Sequence, residues 1–428
     1  METVTWPLTR RRRLPGEARA NERLGTLFPL LLLWMLFEIG RPPTPPNVPL
    51  LLSVIIFAGW LFSRDKRWTR ESFWMTVLLS VMVVGVPLAV NTYSAFWSTY
   101  GMASRLCICV PLPGLVTNVR RARALVLGFL TIAAYVGVWA LFHEGYGPSA
   151  AAGAQDENYV GTLMGMAFPF AYFLLFSERQ FARRLLLIIM LVVFLGAMVL
   201  ARDTSRGAFL GLCATILYCV ARSPRKLLGF GIVGGAALGF ALLAGPRYWE
   251  QIRSTTNVNE GTAGLRLEIW QAGLRAWTTR PVLGAGPGNF IWVVQEGETN
   301  EQFRRLGRGL GASIFAHSMY VEMIVDLGIV GALIFAATLR RAVRDLRWVQ
   351  RVVRAPSGTP SPPGDPATQL RCYADGTIGS IIAVLVNGVF LSLFYYINLW
   401  LLLAMGGAIA QVTWRQLSLA AAGSNSTR

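Results

Sequence analysis

The stretch that decides the fold reads Gly284-Ala285-Gly286-Pro287-Gly288-Asn289, and it lies inside a polar interruption that spans residues 245–317. Upstream of it is a Trp/Arg-rich segment, Gly264-Leu265-Arg266-Leu267-Glu268-Ile269-Trp270. Downstream, the interruption closes on Ala316-His317-Ser318-Met319-Tyr320, where a new apolar run begins. Closely spaced glycines with a proline predict a turn. We therefore predict a separate loop domain that is carried by a hydrophobic bundle.

The composition around this interruption is that of a membrane protein. Of the 428 residues, 54% are hydrophobic and only 14% are charged, whereas soluble proteins carry about a quarter charged residues. Several apolar runs are long enough to cross about 30 Å of hydrocarbon. The predicted fold class is an all-α polytopic membrane protein surrounded by membrane lipid. The net charge of +18 does not indicate nucleic-acid binding, because the arginines lie in short loops where they set membrane orientation.

The apolar runs predict about 12 transmembrane helices, with the one large loop between spans 9 and 10. Residues 1–244 then form a bundle of spans 1–9, and residues 245–317 form a periplasmic loop domain with amphipathic helices. Residues 318–428 hold spans 10–12, with a linker at 340–372. The predicted spans are 24–39, 49–62, 73–90, 101–119, 124–142, 159–176, 185–200, 207–220, 227–244, 318–339, 377–393 and 397–413.

Lysine and arginine are distributed unevenly between the loops on the two sides of this bundle. One side carries 28 of the 40, and cytoplasmic loops are the ones enriched in these residues. Both termini are therefore predicted to be cytoplasmic, with the 245–317 domain on the periplasmic side. The first helix is expected to be uncleaved, because no small-residue cleavage site accompanies it. Segment 357–366 is rich in Pro, Gly and Ser, which predicts a flexible cytoplasmic linker.

Two arginines are exceptions to this bias. Arg202 and Arg206 lie in the short outer turn Ala201-Arg202-Asp203-Thr204-Ser205-Arg206-Gly207. One interpretation is a pair of interfacial side chains that reach for the headgroups, with Asp203 as counter-ion. The alternative is an anion clamp, because guanidinium groups bind phosphate through two hydrogen bonds and stay charged near the bilayer. Arg206 also precedes a helix N-terminus, where free N–H groups favour an anion.

The segment after residue 264 predicts an amphipathic helix. Arg266, Trp270, Gly273 and Trp277 recur at roughly helical spacing. We expect this stripe to lie along the membrane surface, with its tryptophans at headgroup level. An interfacial helix explains Arg275 and other outward arginines, but it explains Arg266 less well, because this residue falls on the tryptophan side.

His317 is the candidate catalytic residue, and it is one of only two histidines. A lone histidine is more often structural. This one, however, combines a helix N-terminus, the membrane interface and three arginines on the same side of the bilayer. A neutral imidazole there could act as a general base, worth about 10²–10⁴-fold in rate.

Acidic and polar residues near these positions are predicted to support the site. Tyr320 lies one turn after His317, and Asp326 lies deeper in the same span, where it is expected to pair with an arginine such as Arg105. Asp156 and Asn158 stand at the mouth of span 6. The two adjacent carboxylates of Asp156 and Glu157 on one loop make a poor metal cage, so we expect no metal there and predict structural or substrate-hydroxyl contacts.

Taken together, these motifs resemble the O-antigen ligase and polymerase superfamily. The matching features are Ser205-Arg206-Gly207 at the start of a span, the Arg266-x-x-x-Trp270 segment, the run from Arg280 to Phe290 and the His317-x-x-Tyr320 pair. Two further matches are Asp326-x-Gly328-Ile329-Val330-Gly331 and Asp156-x-Asn158. Each motif is loose alone, but their order along the chain and their membrane side are fairly specific.

The resemblance implies a metal-independent, cofactor-free glycosyltransferase at the periplasmic face of the bacterial inner membrane. It would transfer a glycan from undecaprenyl diphosphate to an acceptor with inversion, most simply O-antigen to lipid A-core. Arg206 and Arg266 would hold the diphosphate, with Arg202 assisting, and His317 would activate the acceptor hydroxyl. The sequence departs from many members in two places: Ser318-Met319 follow the histidine, and the acid of span 10 is Asp326 instead of glutamate.

Several alternatives stay open at this point. The second candidate is a polysaccharide polymerase of the same fold, whose acceptor is another lipid-linked glycan. A motif with a single histidine, as at His317, is more similar to that of ligases than to that of polymerases. A third candidate is transfer to a protein hydroxyl. A transporter or flippase would place charges and broken helices near the midplane in both halves of the chain, whereas the polar residues here concentrate around one loop.

Overall fold

The computed structural model describes residues 25–43, 47–63, 66–143, 146–148, 157–200, 206–223, 226, 229–231, 234–235, 262–297, 315–353 and 365–425. Within these residues the chain is all-helical and contains no strand. The helices are α1 (Leu27–Met35, continued by a π-helical turn Leu36–Gly40), α2 (Val48–Leu61), α3 (Arg70–Gly85), α4 (Thr92–Cys109), α5 (Leu112–Leu115), α6 (Val119–Phe142), α7 (Glu157–Ser177), α8 (Phe181–Leu200), α9 (Arg206–Arg222), α10 (Thr262–Thr279), α11 (Phe290–Gly297), α12 (Met319–Val352), α13 (Pro366–Asn387) and α14 (Ile397–Asn425).

Six of the described helical stretches are long and apolar enough to cross a membrane. Three shorter apolar helices accompany them: Leu27–Gly40, Val48–Leu61 and Leu210–Arg222. The predicted all-α membrane class is therefore confirmed, while the count of twelve spans remains a prediction. Most of predicted span 9 lies outside the described residues. The six stretches are Arg70–Leu88, Val119–Phe142, Asn158–Ser177, Phe181–Met198, Met319–Val352 and Ile397–Leu419.

Helix caps explain where the observed helices differ from the predicted spans. α4 begins at Thr92, well before predicted residue 101, because the Asn91 side chain accepts a hydrogen bond from the Ser94 amide at 2.9 Å. α13 begins at Pro366, because Asp365 caps the Thr368 amide and proline suits the first helical position. α12 continues to Val352, so the first part of the predicted 340–372 linker is helical. Most of 357–366 lies outside the described residues.

The central architectural feature is a break in α12. Gly328 has a left-handed φ of 62° inside this helix, so the i to i−4 hydrogen bonds across it cannot form. Residues 280–289, which we call the docked segment, pack into the break. Ile329 N–H donates to the Pro281 carbonyl at 2.9 Å and Val330 N–H to the Val282 carbonyl at 3.2 Å.

The docked segment also donates to the carbonyls that the break leaves free. The amide of Ala285 donates to the Val325 carbonyl at 2.8 Å, and that of Gly286 donates to the Asp326 carbonyl at 2.9 Å. In a continuous helix these two carbonyls would accept from Ile329 and Val330. Four intersegment hydrogen bonds therefore replace two helical ones. Such irregular backbone is tolerated in a membrane protein where protein surrounds it.

Helix α13 packs against α7, α9, α12 and α14. Glycines of α13 allow α7 to approach closely, since a Cβ at Gly379 would lie 2.7 Å from Pro169. Toward the C-terminal end of α12 a polar network joins α9, α12 and α13. Asp375 accepts hydrogen bonds there from Gln350 Nε2 at 2.7 Å and Arg222 Nε at 3.2 Å. This network fixes the depth of α9 relative to α12 and α13.

The break in α12 generates a stability prediction. Gly328→Ala should destabilise the protein strongly, because a left-handed φ costs a residue with a Cβ about 1–2 kcal/mol and that Cβ would collide with the Val282 carbonyl. Thermal unfolding in detergent, followed by loss of the monodisperse peak, should show a clearly lower Tm. Gly231→Ala is the matched control, since no atom lies within 4 Å of its added Cβ. Equal Tm values for the two variants would contradict the docked-segment description.

Candidate functional site

Asp326 holds the turn of the docked segment through its side chain. Its carboxylate accepts hydrogen bonds from the amides of Gly288 at 2.9 Å and Asn289 at 3.0 Å, and from the Tyr395 hydroxyl at 2.8 Å. Burial, and after it the neighbouring Asp326 carboxylate, raise the pKa of Tyr395 well above the ordinary tyrosine value. Tyr395 therefore remains a hydrogen-bond donor.

The expected ion pair between Asp326 and Arg105 is wrong. The Arg105 Nε atom instead lies 3.9 Å from the Glu38 carboxylate. The backbone amides of the docked segment bind the Asp326 carboxylate, since a buried carboxylate is stabilised by converging N–H groups. The predicted use of the glycine cluster as a turn is confirmed. Gly284, Gly286 and Gly288 all have positive φ, at 72°, 105° and 65°.

A second set of contacts ties this turn to the start of α4. The Asn289 side chain accepts from the Asn91 amide at 2.6 Å and donates to the Asn91 carbonyl at 3.2 Å. The Ser94 hydroxyl donates to the Gly288 carbonyl at 2.7 Å, and Val90 N–H donates to the Ala285 carbonyl at 3.0 Å. The turn is thus bonded on one side to α12 and on the other to α4.

His317 lies just before α12, which begins at Met319, so its predicted position at a helix N-terminus is observed. Its φ of 46° is left-handed, which among the described non-glycine residues occurs only here and at Arg41. Ala316, Ser318 and Met319 around it are buried, while His317 itself is half-buried. Such a conformation costs about 1–3 kcal/mol and concentrates at functional sites. The His317 side chain is thus partly exposed between two buried residues, Ala316 and Ser318.

Trp270 connects helix α10 to this histidine. Its indole Nε1–H donates to the carbonyl oxygen of Ala316 at 2.7 Å. The location of the α10 stripe along the membrane surface stays a prediction, but two of its members contact protein. Trp270 bonds to protein, and Gly273 faces Phe290 so closely that a Cβ would lie 2.6 Å from the ring.

A small hydrophobic cluster anchors α10 and the histidine turn together. It joins α10, the docked segment, α11, the residue before His317 and the first part of α12. Apolar burial of this kind contributes about 25 cal/mol per Å², so the cluster holds these elements as a unit. Its buried members are Ile269, Ala272, Ala285, Phe290, Val293, Val294, Ala316 and Val325.

The N-terminus of α9, where Arg206 is the first residue, reaches the same region through the turn after α13. A Cβ at Gly207 would lie 2.9 Å from Phe390, so α9 starts against this turn. Met319 N–H donates to the Gly388 carbonyl at 2.7 Å, and the Tyr320 hydroxyl donates to the Leu385 carbonyl at 2.8 Å. The starts of α9 and α12 therefore converge on residues 385–390.

The other predicted site residues fall into three groups. Arg202 and Asp156 lie outside the described residues, and for Arg206 only the backbone is described. Arg266 lies half-buried on α10, one turn before Trp270. Asn158 lies in the first turn of α7, where its carbonyl accepts from the Thr162 hydroxyl at 2.9 Å. Among the described residues, no three His, Cys, Asp or Glu side chains are grouped as a metal site would require.

A comparison with protein families assigns this region. The family model described as O-antigen ligase matches residues 192–336. This segment is a domain of the O-antigen ligase family. It contains Arg206, Arg266, His317 and Asp326, as well as the docked segment and the break in α12. No curated protein matches the chain.

The family match confirms the resemblance to the O-antigen ligase superfamily that the motifs indicate. The family in general implies a glycosyltransferase-like ligase activity, and together with the apolar helices it indicates a multi-pass membrane protein. The family implies a lipid-linked glycan and an acceptor as partners in general. The assignment covers O-antigen ligase and polymerase types of function alike.

Two residues that build the site, Asn91 and Tyr395, are not predicted from the sequence, and for a third, Trp270, the contact is not predicted. Asn91 carries a visible signal, since asparagine before an apolar helical run is a common N-cap. Tyr395 carries none, because a tyrosine between two apolar runs is usual at a membrane interface. Trp270 was noticed, but its hydrogen bond to Ala316 joins residues 46 positions apart and has no local signature.

The hydrogen bonds that the Asp326 carboxylate accepts generate a second stability prediction. Asp326→Asn should lower the free energy of unfolding by about 2–4 kcal/mol, because an amide cannot accept from Gly288, Asn289 and Tyr395 at once. Thermal unfolding would measure this change. Glu268→Gln, which changes an exposed carboxylate on α10, is the control and should change the free energy of unfolding by at most about 0.5 kcal/mol. A loss at Asp326 no larger than that at Glu268 would refute this role of Asp326.

Proposed function

We propose that this protein transfers a glycan from undecaprenyl diphosphate to an acceptor hydroxyl at the periplasmic face of the bacterial inner membrane, most simply O-antigen to lipid A-core. The observation that carries the proposal is the O-antigen ligase match over 192–336, which includes Arg206, Arg266 and His317, the histidine with a left-handed backbone. The bias of lysine and arginine toward one side supports cytoplasmic termini and a periplasmic site.

His317 acts in this proposal as the general base. Its imidazole accepts the proton of the acceptor hydroxyl while that oxygen attacks the anomeric carbon. The bond between this carbon and the diphosphate oxygen breaks, its electron pair stays on the diphosphate, and undecaprenyl diphosphate leaves. Attack from the face opposite the leaving group inverts the anomeric configuration. The fixed peptide on both sides of His317 supports this role, because a base must be held at hydrogen-bonding distance from its proton.

Arg206 and Arg266 bind the diphosphate, with Arg202 assisting. Guanidinium groups suit this task because they form two hydrogen bonds with one phosphate and remain charged near lipid. The free N–H groups at the start of α9, beside Arg206, add to the attraction. A diphosphate is already a good leaving group, so these fixed positive charges can stabilise it in the transition state without a metal ion.

The acceptor distinguishes a ligase from a polymerase. Purified protein would be incubated with an undecaprenyl-diphosphate glycan and a chelator, with and without lipid A-core, and the products separated on a gel. We expect product only when lipid A-core is present. A glycan ladder without lipid A-core would mean a polymerase, which is the second candidate because the family match includes that activity. The absence of product in both reactions would contradict the proposal.

The proposed role of His317 as general base predicts that its removal lowers activity without unfolding the protein. His317→Ala should lower the transfer rate by about 10²–10⁴-fold while the protein stays folded, as measured by initial rates and size-exclusion chromatography. His143→Ala is the control, since the only other histidine is exposed and stacks on Trp139. Full activity of the His317 variant would refute the mechanism.

If Arg266 binds the diphosphate through two hydrogen bonds, a positive charge at this position is not sufficient for full activity. Arg266→Lys should lower transfer about 10-fold or more, because lysine keeps the charge but cannot make two parallel hydrogen bonds to one phosphate. Arg275→Lys, at an exposed position on the same helix, should have little effect. The rates would be measured over a range of donor concentrations. Near-normal donor affinity and rate in the Arg266 variant would count against a clamp at this residue.

A further inference from the structure

The hydrogen bond between Trp270 and Ala316 links two functional elements that are distant in sequence. Trp270 lies one helical turn after Arg266 on α10, and Ala316 immediately precedes His317. The indole N–H reaches the Ala316 carbonyl at 2.7 Å. The path from the backbone of Arg266 to that of His317 is therefore one turn of helix, one indole ring and one hydrogen bond.

The peptide groups around His317 have few ways to rotate. Ala316 is 1% exposed and packs in the cluster with Ile269 and Val325. On the other side, Met319 N–H is held by the Gly388 carbonyl at 2.7 Å. Between these two anchors His317 adopts its left-handed φ of 46°. The direction of the imidazole thus depends on the carbonyl that Trp270 holds.

We propose that Trp270 is a positioning residue that sets the place of the His317 imidazole relative to Arg266. This inference rests on the proposed function, in which the two residues act on the same donor and acceptor. Loss of the indole N–H would leave the Ala316 carbonyl without this donor and allow its peptide to turn. The imidazole would then lie too far from the acceptor hydroxyl to accept its proton, while Arg266 on α10 would still bind the diphosphate.

Trp277 provides a matched comparison on the same helix. Its indole also donates to a backbone carbonyl, that of Pro281 at 3.2 Å. The Pro281 carbonyl already accepts from Ile329 N–H at 2.9 Å, so it stays satisfied when the indole is removed. A general effect of tryptophan on membrane anchoring would appear in both variants, whereas positioning of His317 concerns Trp270 alone.

The test compares Trp270→Phe and Trp277→Phe in the purified full-length protein, with an undecaprenyl-diphosphate glycan and an excess of the acceptor. We expect Trp270→Phe to lower kcat by about 10–100-fold, since a misplacement of about 1 Å can cost 10²-fold. The KM for the donor should stay within about 3-fold, because an interaction lost only in the transition state lowers kcat and leaves ground-state binding intact. Trp277→Phe should leave both constants unchanged.

A second variant keeps the test valid if Trp270→Phe folds poorly. Benzothienylalanine at position 270 has the shape of tryptophan but carries sulfur in place of the N–H group. It should reproduce the loss in kcat with a normal Tm. Wild-type kcat in this variant would overturn the inference, and so would an equal loss in the Trp270 and Trp277 variants or a loss that appears only in donor KM. Full activity of His317→Ala would instead overturn the proposed function itself, whatever the Trp270 variants show.

Discussion

The structure depends on the exchange of hydrogen bonds at the break in α12. A helix at membrane depth must satisfy its own backbone groups, and each unsatisfied group would cost several kcal/mol. Gly328 interrupts that pattern, and the docked segment supplies both the acceptors for Ile329 and Val330 and the donors for Val325 and Asp326. Neither the docked segment nor α12 can satisfy its backbone hydrogen bonds alone. The glycine-rich segment has no regular structure of its own, and the broken helix has open backbone groups.

The position of the candidate site follows from this exchange. The docked segment fixes α10 and α11 at its two ends, and Asp326 locks its turn to α12. The first part of α12, Met319 to Leu327, is then held between the break and the turn after α13. His317 lies at the N-terminal end of this short piece. The histidine and the helix with Arg266 are thereby parts of one packed unit, although most of the loop domain sequence separates them.

Much of this arrangement could be anticipated from local patterns. Apolar runs with few charges indicate a helical membrane protein because the bilayer imposes length and hydrophobicity on every span. The clustered glycines predicted a turn because the left-handed conformations at Gly284, Gly286 and Gly288 favour a residue without a Cβ. The ordered motifs from Arg206 to Asp326 predicted the family. The prediction that was wrong, an ion pair between Arg105 and Asp326, concerned a contact between residues far apart in the sequence.

The class of fold, the glycine turn, the family domain and the candidate histidine and arginines can all be predicted from the amino-acid sequence, since each rests on composition, spacing or a short motif. The contacts of these residues follow from the three-dimensional fold. Only the folded chain brings Gly288 and Asn289 to Asp326, Trp270 to Ala316, and the starts of α9 and α12 to residues 385–390. The physical reason is that a hydrogen bond requires a donor and an acceptor within about 3 Å in space, and separation along the chain carries no information about that distance.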